Sequence, residues 1–220
     1  MAIGTKRYIA VIGDMVRSRD LPRSERGLVQ KQFAELISNL NKEYRKDIAS
    51  KFVITLGDEF QGLLSTTALI PDLIWRLEKD FPERDLRVGI GLGPLDTPIQ
   101  KFAINIDGPA LHAARAATET AKKVNALGGV FNGFGRLDEI LNGIARLLWF
   151  NRSRWTLSQR KIANLLRQGM PQSEAAELLK IKRQVVSKQA SASGWVQYSG
   201  AEKAYRIILQ QYADKLIGAK

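Results

Sequence analysis

The 220-residue chain has no cysteine and one histidine, His112. The lack of cysteine excludes disulfides, thiolate metal sites and thiol nucleophiles, and a single histidine cannot form a histidine cluster around a metal. Any metal site within one chain must therefore use oxygen ligands, which favours Mg²⁺ or Mn²⁺. We expect His112 to be a packed or half-exposed side chain and not a metal ligand.

Long apolar runs are also lacking. No stretch approaches the roughly 18 uncharged residues of a membrane-spanning helix, and the N-terminus has no apolar segment of the signal-peptide type. The composition, 45% hydrophobic and 25% charged, is ordinary for a soluble globular protein. We therefore expect a cytoplasmic protein with a sizeable core.

The net charge of +12 is unevenly distributed. Residues 151–220 carry 13 Lys or Arg against four Asp or Glu, whereas residues 1–150 carry 21 against 18. The basic character thus belongs to the C-terminal third, which indicates a polyanionic partner there.

Two aspartates follow apolar runs. Asp58 and Glu59 lie at the tip of a predicted hairpin over residues 52–64, and Asp14 ends an apolar strand at residues 8–12. Carboxylates at the edge of a core are commonly neutralised by a cation, so Asp14 and Asp58 are candidates for sharing one metal ion. The alternative is that Asp58 hydrogen-bonds to the backbone of its own turn.

A short basic loop follows Asp14. Arg17, Ser18 and Arg19 stand between the first strand and a helix predicted over residues 24–42, where exposed backbone N–H groups can bind phosphate. Glu59 is a further candidate for the same ligand. A solvated basic loop is the alternative, because the Gly-Lys-Ser/Thr phosphate loop is missing.

The periodicity predicts the order β-α-β-β-α-β-α for the N-terminal part. Helices are expected over residues 68–79 and 110–126, and a strand over residues 86–95 has glycine at alternate positions. Such glycines suit a place where another backbone or a ligand comes close. The order predicts an α/β (α+β) sandwich with a largely antiparallel sheet of the ferredoxin-like or palm type.

Four blocks carry a resemblance to known proteins. They are Ile-Gly-Asp at 12–14, Leu-Gly-Asp-Glu-Phe at 56–60, Arg-Val-Gly-Ile-Gly-Leu-Gly at 87–93 and Asp-Gly-Pro-Ala-Leu-His-Ala-Ala-Arg at 107–115. In this order they resemble the class III nucleotidyl cyclases and their GGDEF relatives, and the whole chain most resembles the SatD family.

The cyclase resemblance implies roles for three residues. Asp14 and Asp58 match the two metal-binding aspartates, and Arg115 matches the arginine that meets the phosphates in the partner's site. The lysine and asparagine that cyclases use nearby are replaced by Ile54 and Leu111. By sequence spacing alone, Arg115 is instead an ion-pair partner for Glu119.

A glycine-rich segment, with four glycines in residues 128–135, predicts a domain boundary. We expect an α/β domain over residues 1–135 and an all-α domain over residues 136–220. A helix from residue 137 has an apolar stripe that pairs either with the same helix of a second copy or with its own domain.

The all-α part has the spacing of a helix-turn-helix, with small Ala176 and apolar Leu179, Ile181 and Val186 where two helices would cross. It is similar to bacterial helix-turn-helix modules that end in Ile-x-x-x-x-Val-Ser. The residues expected on the DNA side of the second helix are Lys182, Arg183, Gln184, Ser187, Lys188 and Gln189. The alternative is a three-helix docking domain with a solvated basic face.

The sequence thus predicts a DNA-binding transcriptional regulator that recognises double-stranded DNA as a homodimer. Its cyclase-like domain would bind a nucleotide with Mg²⁺ or Mn²⁺, or dimerise without a ligand. The alternative function is an active metal-dependent nucleotidyl cyclase or transferase with a DNA-binding tail, in which Arg115 would be catalytic.

Overall fold

The computed structural model describes residues 6–55, 57–82 and 84–218 and gives a mixed α/β fold. Its strands are β1 (Tyr8–Met15), β2 (Ile48–Ile54), β3 (Glu59–Leu64), β4 (Leu86–Gly93) and β5 (Val130–Asn132). The main helices are α1 (Arg23–Glu43), α2 (Ile70–Asp80), α3 (Pro109–Lys123), α4 (Leu137–Ser153), α5 (Leu157–Arg167), α6 (Gln172–Leu179), α7 (Arg183–Ala192) and α8 (Trp195–Ile208). A wider π-helical turn, Leu209–Ala213, and a last turn, Asp214–Leu216, follow α8.

The five strands form one sheet in the order β2-β3-β1-β4-β5. The contacts of β1 with β3 and β4 and of β2 with β3 are antiparallel, whereas β4 and β5 are parallel. The apolar strand β1 therefore lies at the centre of the sheet, and the ends of its neighbours surround its C-terminal end.

The main core lies on the face of the sheet that α1 and α2 cover. Phe33 of α1, Phe52 and Phe60 of the hairpin and Phe81 after α2 are almost completely buried there. Ring centroids of Phe33 lie 5.9 Å from Phe60 and 5.5 Å from Phe81, within the range of favourable aromatic contacts. The helical spacing of α1 was predicted correctly except at Leu28, which is exposed.

The opposite face carries α3, and it packs directly on the glycines of β4. A Cβ atom on Gly91 would lie 2.1 Å from the backbone nitrogen of Ala114, and one on Gly89 would lie 2.2 Å from the carbonyl oxygen of Ala114. The alternate glycines therefore leave room for the helix backbone. Of the two uses that the sequence left open, close approach of another backbone or of a ligand, the structure shows the first.

The C-terminal helices share the main core with the sheet. Phe131 of β5 lies 6.0 Å from Tyr205 of α8 between ring centroids, and Trp75 of α2 lies 6.2 Å from Trp155, which precedes α5. The domain boundary near residue 135 stays a prediction. Within the glycine-rich segment expected to be a loop, the structure has the short strand β5, which pairs with β4 from Gly89 to Gly91.

Ion pairs fasten the C-terminal helices to α2. Arg206 of α8 donates two hydrogen bonds to Asp72, at 2.9 and 2.7 Å, and Arg167 of α5 lies 2.9 Å from the same carboxylate. Glu202, which is buried, accepts from both arginines. Two acids and two bases thus balance their charges at this junction, which limits the cost of burying them.

None of the helices in the described ranges is both long and apolar enough to cross a membrane.

The charge network predicts a pH-dependent stability. Burial by itself would raise the pKa of Asp72, but hydrogen bonds and charges from Arg206 and Arg167 outweigh it and lower the pKa. Asp72 therefore stabilises the fold above the unfolded-state pKa of about 4, and this contribution is lost as the pH falls through the lower folded-state pKa. We expect Asp72→Asn to reduce the free energy of unfolding at neutral pH by about 1 kcal/mol, because the carboxylate is partly exposed.

Urea unfolding at neutral pH and at several values below about pH 4 measures this difference, which should narrow at low pH. Asp96→Asn, at an exposed position of the loop after β4, is the matched control. A difference that stays constant with pH would contradict the assignment.

Candidate functional site

Acidic and basic side chains from four parts of the chain meet at the C-terminal end of β1. The strand register places Asp14 opposite Glu59 of β3 on one side and opposite Arg87 of β4 on the other. The backbone N–H of Met15 donates to the carbonyl of Asp58 at 2.9 Å. The structure thus brings the two predicted metal ligands, Asp14 and Asp58, to the same edge of the sheet.

The Asp14 carboxylate is largely buried between two cations. Its Oδ2 lies 3.6 Å from Nη1 of Arg87 and 3.8 Å from Nζ of Lys122, in the last turn of α3. Both distances are too long for hydrogen bonds. Its Oδ1 is buried and has no hydrogen-bond partner among the residues that the structure describes. This oxygen is a buried acceptor whose hydrogen-bonding capacity is unused.

Burial raises the pKa of Asp14, and the opposing charges of Lys122 and Arg87 do not cancel the effect. Repulsion from Asp58 and Glu59 adds to the rise, which is consistent with three carboxyl groups near one another. The pKa of Lys122 is also raised: burial lowers it, but Glu119, Asp14 and Glu59 together outweigh burial. Burial thus disfavours the charged form of Asp14 despite its two cationic neighbours.

The loop after β1 positions the second aspartate. Ser18 donates from its hydroxyl to Oδ2 of Asp58, so this serine, expected to bind phosphate, holds the carboxylate. Glu59 accepts from Thr55 at 3.1 Å. The interpretation of Asp58 as a residue that only stabilises its own turn does not account for the Ser18 contact.

A basic cleft of about 550 Å³ lies after the end of β1 and shares Arg87, the strand partner of Asp14, with the site. Arg17, which is exposed and adopts the left-handed backbone conformation (φ 55°), lines it together with Arg84 and Arg87. The remaining lining residues are Val16, Asp85, Asn125 and Leu127. Three guanidinium groups around one cleft suit an anion such as phosphate. The predicted phosphate ligand Arg19 has a side chain outside the described part of the structure.

The residues present fit a hard divalent cation. Carboxylate oxygens are the ligands that Mg²⁺ and Mn²⁺ prefer, and the Asp14 and Asp58 carboxylates are close enough to interact electrostatically. Within the described ranges, no group of three or more acidic or histidine side chains is placed to hold a metal by itself. Asp14 and Asp58 would therefore need further oxygen ligands from water or from a bound phosphate, as is usual for Mg²⁺.

The profile of one protein family, the SatD family, matches residues 8–208. The chain belongs to the SatD family. A search of curated protein sequences gives no significant match.

Several solved cyclase structures are similar to part of this SatD protein. A bacterial light-regulated adenylyl cyclase is 12% identical with a TM-score of 0.43, and the match covers 57% of this chain and 75% of that one. The dimeric guanylyl cyclase domain of a rhodopsin fusion protein from Blastocladiella emersonii is 14% identical with a TM-score of 0.35, covering 52% and 74%. The guanylate cyclase domain of Catenaria anguillulae, solved with GTP, is also 14% identical at 0.35, covering 53% and 74%. At these scores the family assignment rests on the sequence match.

Arg115, the other residue assigned from the cyclase resemblance, is exposed on α3. Its expected ion-pair partner Glu119 contacts Lys122 instead, at 3.0 Å. His112 is exposed and lies 2.9 Å from Asp107. Because it is exposed, Arg115 is accessible to a ligand or to a second molecule.

The predicted DNA-contacting residues lie on α7 or immediately before it. Lys182, Arg183, Gln184, Ser187 and Lys188 are exposed, whereas Gln189 is half-buried. Val185 is exposed in its place, 42% of its surface being accessible. The difference arises because Val186 and Ala190 pack on Ile162 and Ala175. This packing turns Gln189 partly towards the neighbouring helices.

The sequence interpretation missed Arg84, Arg87 and Lys122. Arg87 begins the glycine-containing segment 87–93, but no local pattern connects it with Asp14. Their pairing depends on the register of β1 and β4. Lys122 is one of two adjacent lysines at the end of α3. Only the packing of α3 on β4 identifies it as the lysine that contacts the site.

The site geometry predicts that Asp14 costs stability. Asp14→Asn removes a buried charge whose Oδ1 has no partner, so we expect the free energy of unfolding at neutral pH to rise by about 0.5–2 kcal/mol. Urea unfolding in the presence of a chelator measures this change. A loss of stability would mean that the ion pairs with Arg87 and Lys122 outweigh the burial of Asp14.

Proposed function

We propose that this SatD-family protein is a DNA-binding transcriptional regulator that acts as a homodimer and whose N-terminal half binds a nucleotide with Mg²⁺ or Mn²⁺. The observation that carries the proposal is the exposed, basic and polar face of α7, whose opposite face is packed on α5 and α6. A helix held in this way is available to enter the major groove of DNA.

Two features of α6 and α7 support the proposed helix-turn-helix. Buried Ala176 and Val186 meet in one small core with Ile162 of α5. Lys180 ends α6 in the left-handed conformation (φ 55°), and the N–H of Ile181 donates to the carbonyl of Ala176 at 3.0 Å. The turn thus closes without the glycine that usually occupies this position, at some conformational cost.

The side chains of this face have distinct roles in the proposed complex. Arg183 and Gln184 have planar donor and acceptor groups that can contact base edges bidentately. Lys182, Ser187 and Lys188 are suited to hold phosphates. The C-terminal excess of positive charge supports the same assignment, since phosphate neutralisation supplies much of the affinity for DNA.

The proposed nucleotide site combines the carboxylates with the basic cleft. Asp14 and Asp58 would hold the divalent cation, and Ser18 fixes the orientation of Asp58. The cation would neutralise phosphate oxygens and the two carboxylates. Arg17, Arg84 and Arg87 would bind the remaining phosphate charge. The ferredoxin-like or palm arrangement of the sheet is part of this proposal, and it agrees with the observed order of β1 to β4.

The second candidate is a metal-dependent nucleotidyl cyclase or transferase, favoured by the adjacent acids and by exposed Arg115. Against turnover, Ile54 and Leu111 replace two polar residues that the cyclase resemblance implies, and the loss of one charge-stabilising donor typically lowers rates by about 10²–10³. Incubation with each nucleoside triphosphate and Mn²⁺, followed by product analysis, separates the two. Product that disappears in both Asp58→Ala and Arg115→Ala would favour the enzyme.

In a third hypothesis, the N-terminal domain is a ligand-free dimerisation scaffold.

We predict that duplex affinity falls steeply with salt and that the slope depends on the α7 lysines. Lys188→Ala should reduce the slope of log affinity against log salt by about one unit, because one phosphate contact is lost. Fluorescence anisotropy with genomic fragments measures the slope. Lys203→Ala, an exposed lysine on α8, is the control and should leave it unchanged. Salt-independent binding would contradict the DNA proposal and favour a docking domain.

We also predict that Mn²⁺ raises the melting temperature, because a ligand that binds only the folded state stabilises it by mass action. The rise should be lost in Asp14→Ala and in Asp58→Ala and should grow when a nucleoside triphosphate is added. Asp107→Ala, which removes an exposed acid, should retain the rise. An equal rise in all variants would mean that the metal binds elsewhere.

A further inference from the structure

Helix α4 has two apolar faces, and only one of them is used within the chain. Leu141, Ala145 and Leu148 are buried in the main core. On the other side, Ile140 is 48%, Leu147 is 69% and Phe150 is 54% exposed. The sequence left open whether the stripe of this helix meets its own domain or a second copy. The structure assigns part of the helix to the first role and leaves the second face uncovered.

The exposed residues are spaced as the seam of a helix pair. Ile140, Gly143, Leu147, Phe150 and Arg154 follow one another at intervals of three, four, three and four residues. This alternation is the spacing by which two helices keep one seam in contact along their length. A helix face that meets only solvent usually carries polar and charged side chains at such positions.

Gly143 is the second residue of the seam. A Cβ atom at this position would meet nothing within 4 Å, so nothing within the described chain requires a glycine there. Glycine in a helix interior costs about 1 kcal/mol relative to alanine. Its position between Ile140 and Leu147 leaves a gap in the ridge of side chains, and a large apolar side chain of a second helix can occupy that gap.

The pair Glu139 and Arg154, at opposite ends of the seam, favours an antiparallel partner identical to α4. Exposed Glu139 lies near the N-terminal end, and exposed Arg146 and Arg154 lie nearer the C-terminal end. An antiparallel copy places Glu139 beside Arg154 of the second molecule, and it brings helix ends of opposite partial charge together. Arg154 already lies over the ring of Phe150, 5.3 Å from its centroid, so its charge is held at the seam.

We propose that two copies of this protein associate through an antiparallel, two-fold pairing of their α4 helices, with Ile140, Leu147 and Phe150 as the apolar contacts and Leu147 next to the two-fold axis. The same patch then serves both molecules, as two-fold symmetry requires. The proposal rests on the homodimer of the proposed function, but neither on the metal nor on the DNA contacts.

The test measures the mass of the full-length protein by light scattering or sedimentation from low to high micromolar concentration. We expect a dimer for the natural sequence and a monomer for Leu147→Glu, in which two charges face each other across the seam. Leu157→Glu changes a leucine that is 80% exposed on α5 and serves as the matched control, which should remain dimeric. Unchanged melting of the Leu147→Glu monomer shows that the variant is folded.

A charge exchange tests the direction of the pairing. Glu139→Arg should raise the dissociation constant a few-fold, and adding Arg154→Glu to it should restore the dimer. A dimer that is insensitive to Leu147→Glu, or a double variant weaker than the single one, would overturn the α4 pairing while leaving the proposed function intact. A monomer at all concentrations would overturn both the pairing and the homodimer. The salt-dependent binding of DNA is measured separately and distinguishes failure of the regulator itself.

Discussion

The arrangement of the candidate site depends on the contact between α3 and β4, where a helix backbone lies directly on a strand backbone. Gly89, Gly91 and Gly93 make this possible, because a side chain on any of them would overlap atoms of α3. The close packing fixes the position of the last turn of α3, which brings Lys122 to within 3.8 Å of Asp14. Without this contact the carboxylate would lose one of its two cationic neighbours.

The second constraint is the fastening of α2 to the C-terminal helices. Buried Arg152 of α4 donates hydrogen bonds to Glu78 at 2.7 and 2.6 Å and to the hydroxyl of Tyr198 at 2.9 Å. Asp72 of α2 forms ion pairs with one arginine of α5 and one of α8. Helix α2 also forms part of the core beneath the sheet. The C-terminal helices that pack against α7 are therefore held to the part of the chain that contains Asp14 and Asp58. A ligand that shifted α2 would therefore act on α5 and α8 through these charge pairs.

The candidate site could be predicted in part because its acids carry a local signal. Asp14 ends an apolar strand and Asp58 lies at a hairpin tip, so both were identified from the chain itself. Their cationic neighbours carry no such signal, since Arg87 and Lys122 reach Asp14 through strand register and helix packing. The hydrogen bond from Ser18 to Asp58 was not predicted for the same reason, because the two residues are 40 positions apart in the sequence.

By itself, the sequence determined the oxygen-only chemistry of any metal site, the basic C-terminal third and most helices and strands, because composition and periodicity record these directly. Only the tertiary structure decided which charges meet. It also decided that Gln189 is half-buried while Val185 is exposed, that a short β5 pairs beside β4, and that one face of α4 is covered while the other is open. These outcomes depend on contacts between residues that are distant in the chain, and periodicity gives the faces of a helix but not the neighbours that cover them.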